Sequence, residues 1–271
     1  MNDLEYYRNQ GLFLEKFLRV KSFPLGIKLI NNEKEAPQNA KRPILEMKNK
    51  NFMCQNFKIS RSYGWTMLIT PEDCICKVAR MVYGWDQPSP NAIKFANEFS
   101  EGLYAKDAEI SQQWIEKLYV NDKPCCGVIV SPLTRTQVIP DIIQVYCNPA
   151  QAMRLIQSYL YFKGGVLEFS AAGRGGSCHE GVIKVIQTDE PQLVILGNGD
   201  RVWGGAEDDE ILFSIPSSKL SLITQGLEKT HSAGLRYPIP KYMNYTPGFQ
   251  SKFKTKAKER AQGTLIKEDY E

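Results

Sequence analysis

Four short apolar runs in the second half of the chain limit its fold most. Residues 126–130, 142–147, 193–196 and 211–215 each read as a buried strand, because apolar side chains follow one another without a polar face. Helical segments lie between them. Asn148 and Pro149 form a helix start that leads into Ala152, Leu155, Ile156 and Tyr159. Strands and helices intermix without a repeating strand–helix–strand unit. The expected fold class is therefore α+β, with a mixed or antiparallel sheet and flanking helices.

The first half reads as more helical. Leu4, Tyr7, Leu12, Leu14, Phe17 and Leu18 lie near one face of a helix over residues 3–20. Residues 23–30 read as a strand, placed at a sheet edge by Pro24. Residues 31–44 are expected as a loop and residues 53–69 as a helix. Thr70, Pro71, Glu72 and Asp73 predict a helix start, with a stop at Gly84. Further helical pieces are expected over 92–99 and 111–117. One α+β domain is expected over residues 1–245, with a helical part to about 120 and a sheet-rich part over 121–230. Residues 246–271 form a charged, lysine-rich tail.

Composition narrows the class of function. The net charge of +4 is too mild to argue for nucleic acid. No run of about 18 apolar residues exists, so no membrane span is expected. The opening "MNDLEYYRNQ" lacks the pattern of a secretory signal, and a cytoplasmic location follows as the expectation. In that compartment the seven cysteines read as thiols or metal ligands rather than disulfides.

The richest chemistry sits in "GRGGSCHEG", residues 173–181, between an expected extended run (165–170) and an expected helix (181–186). A glycine-rich turn at a helix start leaves backbone N–H groups free for an anion. Gly175, Gly176 and Ser177 are the candidate cradle. The spacing fails the dinucleotide fingerprint, because Cys178 stands where its third glycine would be, and the Gly-Lys-Ser/Thr ending of a P-loop is missing. Cys178 would sit in the first helical turn, where the helix dipole favours its thiolate. Cys54, Lys58 and Arg61 share one face of the expected helix, so the cations should depress the Cys54 pKa and could hold an anion. Gly197 to Arg201 reads as a hairpin turn, or as a turn aiming the Arg201 fork at a carboxylate or phosphate. Cys125, Cys126 and Cys147 read as core residues. The acids over 207–210 read as a solvated turn.

Six segments together resemble an uncharacterised prokaryotic family, domain of unknown function 169. They are "CQNFKISRSYGW" (54–65), "LITPEDCIC" (68–76), "SPLTRTQVIPDIIQVYCNPAQAMRLIQ" (131–157), "GGSCHEG" (175–181), "LGNGDR" (196–201) and "DEILFSIP" (209–216). Their order and spread, over about residues 15–230, carry the resemblance. The family occurs commonly in anaerobic bacteria and archaea, which implies a setting that suits oxygen-sensitive metal chemistry. It supplies no settled activity.

Cys54, Cys74, Cys76 and Cys178 all fall in these segments, and they form the candidate ligand set for an iron–sulfur cluster or another metal. His179 is the one imidazole in that region. On a helix, Cys74 and Cys76 would point to different sides. The expected function is a cysteine-lined metal site in redox chemistry or in maturation of a redox enzyme, with a redox-enzyme partner or a homo-oligomer. The alternatives are a metal-free module binding a small anion through Arg61, Gly175, Gly176, Ser177 and Arg201, and an accessory subunit of a larger complex. Whether the chain is an enzyme is left open.

Overall fold

The apolar runs pair into one six-stranded antiparallel sheet. The computed structural model describes residues 3–86 and 89–241; the expected tail over 246–271 lies outside them. In chain order the elements are α1 (Asp3–Leu18), β1 (Leu25–Ile30), α2 (Pro43–Glu46), α3 (Met53–Tyr63), β2 (Met67–Ile69), α4 (Lys77–Val82), α5 (Pro90–Ser100) and α6 (Ala108–Ile115). There follow β3 (Gly127–Pro132), β4 (Ile142–Cys147), α7 (Pro149–Lys163), a π-helix (Gly176–Ile183), α8 (Lys184–Thr188), β5 (Gln192–Val194), α9 (Asn198–Val202), β6 (Ile211–Pro216) and α10 (Leu220–Ser232). The strand order is β2-β3-β1-β4-β6-β5. The protein is an α+β fold.

Helices cover both faces of the sheet, which is why its strands are apolar at successive positions. Along β4, Ile142 and Tyr146 pack with α3, α4 and the π-helix, whereas Ile143, Val145 and Cys147 pack with α1, α7 and α10. The register Val145↔Phe213 carries that alternation into β6. Cys147 is a core residue, as expected, at 2% exposure. Two glycines permit close approaches that a side chain would block. A Cβ on Gly226 of α10 would lie 2.0 Å from the Ser158 carbonyl oxygen of α7. One on Gly181 would lie 2.8 Å from Gln144 Nε2 and 2.9 Å from Leu212. Gln144 Nε2 donates to the Ser177 and Gly181 carbonyls at 2.7 and 3.1 Å, which pins the π-helix to the sheet.

Several local expectations are corrected. β1 is an interior strand, between β3 and β4, because Pro24 precedes the ladder rather than interrupting it. The expected helix over 53–69 ends at Gly64, whose φ of 75° makes it a left-handed cap, and the chain then enters β2. The expected helix at Thr70 starts instead at Lys77. Asp73 turns back on Thr70, accepting from its N–H and hydroxyl at 3.0 and 2.8 Å, and also accepts from Arg42 Nε at 2.9 Å. The capping residues thus close a turn rather than open a helix. Residues 165–170 form no strand, and Gly197 leads into the short helix α9 rather than a hairpin.

Candidate functional site

Three of the four family-segment cysteines sit at helix starts. Cys54 is the second residue of α3, and its thiol donates to the Gly199 carbonyl at 3.4 Å. Cys76 is the N-cap of α4, its Sγ accepting from the Ala79 N–H at 3.4 Å. Cys178 lies in the first turn of the π-helix. Cys74 sits in the stretch before α4, tied down where Asn51 N–H donates to Asp73 O and Ile75 N–H to Asn51 O. That stretch is not helical, so the helical spacing expected to separate Cys74 and Cys76 does not apply. Charge on Cys178 is opposed by charge on Cys76, Cys54 and Cys74, and charge on Cys54 by charge on Cys76. Such effects act over several ångströms and place the four groups in the same region of the core. All are free thiols.

Asp200 lies among them, 7% exposed. Its carboxylate accepts from the Ser177 hydroxyl, from the Gly197 N–H at 3.0 Å and from the Ser177 N–H at 3.4 Å. Of the expected cradle, the Ser177 N–H and hydroxyl therefore hold the protein's own carboxylate. A Cβ on Gly176 would lie 2.8 Å from Asp200 Oδ2, so the glycine gives that carboxylate its room. The expected anion-binding role of Ser177 is thereby occupied by Asp200.

The arginines are committed as well. Arg61 and Glu210 form a buried two-pronged pair at 2.8 and 3.1 Å, with Arg61 over the Tyr146 ring and donating to Gly205 O at 3.2 Å. Arg201 donates to the carbonyls of Glu207 and Glu210. Both guanidinium groups hold the 205–210 turn against α3 and α9 instead of facing a ligand. Lys58 likewise donates to Gly205 O at 3.1 Å.

These commitments reverse the expected thiol electrostatics. Burial raises the pKa of Cys54, and Asp200 raises it further. Burial pushes Cys74 up to about 12 and carries Cys178 well above its ordinary value. The helix starts do act in the expected direction: backbone N–H groups of Cys54 and Gln55 favour the Cys54 thiolate, and those of Ala79 and Val78 favour that of Cys76. Desolvation outweighs them, so the thiols are neutral near pH 7. A lone activated cysteine nucleophile does not fit this site.

His179 spends one ring nitrogen on the backbone, while its Nδ1 is buried without a partner. Its Nε2 accepts from the Tyr119 N–H at 2.8 Å, and burial lowers its pKa to about 4. It is not placed as the imidazole of a zinc set. Among the described residues, no three His, Cys, Asp or Glu side chains stand in ligand geometry about one point. Several buried polar atoms around the site lack a hydrogen-bond partner, among them Arg61 Nε, His179 Nδ1 and the Tyr83 hydroxyl, which is fully buried and feels the charge of Cys178, Cys125 and Cys74. Tyr83, Tyr146 and Asp200 are site residues that sequence reasoning missed. Only Asp200 carried a local signal, three residues after Gly197, where an acid closes a helix start.

Comparison with known proteins agrees with this segment pattern. A curated Methanocaldococcus jannaschii protein, itself named as uncharacterised, is 23% identical over 224 residues, covering 83% of this chain and 94% of that protein. No solved structure matches. The profile of the DUF169 family, described as Uncharacterised ArCR, matches residues 13–226, and the chain belongs to that family.

Proposed function

We propose that the protein binds an iron–sulfur cluster or another thiolate-held metal through Cys54, Cys74, Cys76 and Cys178, in redox chemistry or in maturation of a redox enzyme. One observation carries this reading: four free thiols from three separate chain segments share one buried neighbourhood, and two of them accept stabilisation from backbone N–H groups at helix starts. Four thiolates are the usual ligand number for a cluster and also suit tetrahedral zinc. Loading requires the thiols to turn toward one another and to give up their protons, because they are neutral in this arrangement.

The test is anaerobic purification of the full chain, followed by an absorption spectrum and iron, zinc and sulfide analysis. The expected result is stoichiometric metal or cluster that falls at least severalfold in Cys54→Ser and Cys178→Ser variants. A colourless, metal-free protein that also fails to take up iron and sulfide, or zinc, in reconstitution would refute the proposal.

A further inference from the structure

The helix that begins at the cysteine site continues into α8, and α8 forms one wall of a separate cleft. The cleft measures about 520 Å³. Its other walls are the end of α7, the start of β5 and the irregular segment over residues 164–173. That volume suits a small organic molecule.

The polar groups here are not balanced. Lys163 meets both Glu190 carboxylate oxygens at 2.7 Å and the Tyr159 hydroxyl at 2.9 Å, so its charge is neutralised. Lys184 is 8% exposed and donates to the Ser170 hydroxyl at 2.6 Å. Among the described residues, no carboxylate lies within ion-pair distance of it; Glu180, one turn earlier on the same helix, attracts it only from farther away. A buried cation without a contacting counter-ion is costly. Gln192, also lining the cleft, is 4% exposed and has a side-chain oxygen with no hydrogen-bond partner. The outer wall is apolar: Val166 and Phe169 stand 76% and 46% exposed. The segment that carries them begins at Gly164 and Gly165 and reaches Gly173, all at positive φ with open space around them.

We propose that this cleft binds a small organic carboxylate with an apolar body and a hydroxyl or amino group beside the carboxylate. The carboxylate pairs with Lys184, the neighbouring donor meets Gln192, and the apolar body lies against Val166 and Phe169. One negative charge matches one cation that lacks a contacting carboxylate. A phosphate monoester brings more charge than that and meets Glu190 and Glu168, which also line the cleft. The site does not depend on the metal proposed for the cysteines.

Hydroxyisocaproate is a suitable probe, with neutral isohexanol as the control, titrated into the full chain by calorimetry and ligand-observed NMR. The expected result is saturable one-to-one binding of the acid, weakened about tenfold or more by Lys184→Met, with much weaker binding of the alcohol. Phe169→Asp gives a second weakened variant on an exposed position, where the change leaves folding intact. The proposal is overturned by the absence of saturable binding, by alcohol binding as tight as that of the acid, or by unchanged affinity in a folded variant of either kind.

Discussion

Replacing Glu210 with Gln tests whether Arg61 serves the fold or a ligand. The substitution keeps the shape and leaves an oxygen for the Glu207 N–H, which donates to Glu210 Oε2 at 3.0 Å. It removes the charge and turns the Oε1 acceptor facing Arg61 into an NH2 donor. Arg61 then stays in place with 2% of its side chain exposed, over the Tyr146 ring, without its counter-ion. Breaking one side of a buried ion pair costs about 3–5 kcal/mol. At about 2–4 °C per kcal/mol for a domain of this size, Tm should fall by roughly 6–20 °C. Urea unfolding of metal-free protein, followed by tryptophan fluorescence and far-ultraviolet circular dichroism, measures the loss. Arg61→Met combined with Glu210→Gln should recover part of it, because the stranded charge is gone. A single-variant loss below about 1 kcal/mol refutes the reasoning. A folded Glu210→Gln protein that gained tight phosphate binding would return Arg61 to a ligand role.

Gly226→Ala should cost about 1–3 kcal/mol or more, read by the same unfolding assay, because its Cβ would overlap the Ser158 carbonyl and force α7 and α10 apart. Gly181→Ala should cost a similar amount and should also loosen the π-helix, visible as faster amide exchange there, since the new Cβ meets Gln144 and Leu212. The adjacent His179 and Glu180 predict opposed pH effects in metal-free protein. His179 has a folded pKa of about 4 against an ordinary 6.5, so its contribution is full above 6.5 and is lost as pH falls toward 4. Burial raises Glu180 to about 7 from 4.5, so its cost is absent below 4.5 and grows as pH rises toward 7. Relative to His179→Gln with Glu180→Gln, the His179→Gln variant should lose roughly 2 kcal/mol between pH 4.5 and 7. Parallel stability curves for the two variants would contradict that assignment.

The sheet was legible because its strands are buried on both faces, and continuous apolar runs such as 142–147 report that directly. β2 was not legible: three residues after a helix carry too little pattern to separate them from its last turn. The segment from Thr70 to Asp73 misled for a physical reason. Threonine and aspartate close a turn with the same side-chain oxygens that cap a helix, and Arg42, a long-range partner, favoured the turn. At the site, the four cysteines could be picked from their segments, yet their mutual placement depended on this misread start. With Lys77 as the first helical residue, Cys74 and Cys76 escape the helical spacing that would have separated them. The charges were the least legible part. Arg61 and Arg201 look alike in sequence to ligand-binding arginines, and only the fold reveals Glu210 opposite one and backbone carbonyls around both.

The electrostatics of the cysteines also bear on what could complete them. Backbone N–H groups at the starts of α3 and α4 favour negative sulfur at Cys54 and Cys76. Such donors are of little use to a neutral thiol, which is a weak acceptor. Yet burial and Asp200 together keep those sulfurs protonated. The neighbourhood therefore holds part of the stabilisation that thiolates need, while its flanking cations are engaged elsewhere: Lys58 on Gly205, Arg61 on Glu210, and Arg80, whose charge favours the Cys74 thiolate, on Asp86. A metal ion shared by the sulfurs would add positive charge and turn the same N–H groups into donors to bound thiolate. The proposal thus predicts more than metal content. Serine at Cys76 should weaken metal retention more than serine at the core residue Cys147, although Cys147 is the more buried of the two and its replacement should cost more stability. Equal metal retention in the two variants would refute the placement of Cys76 in the ligand set.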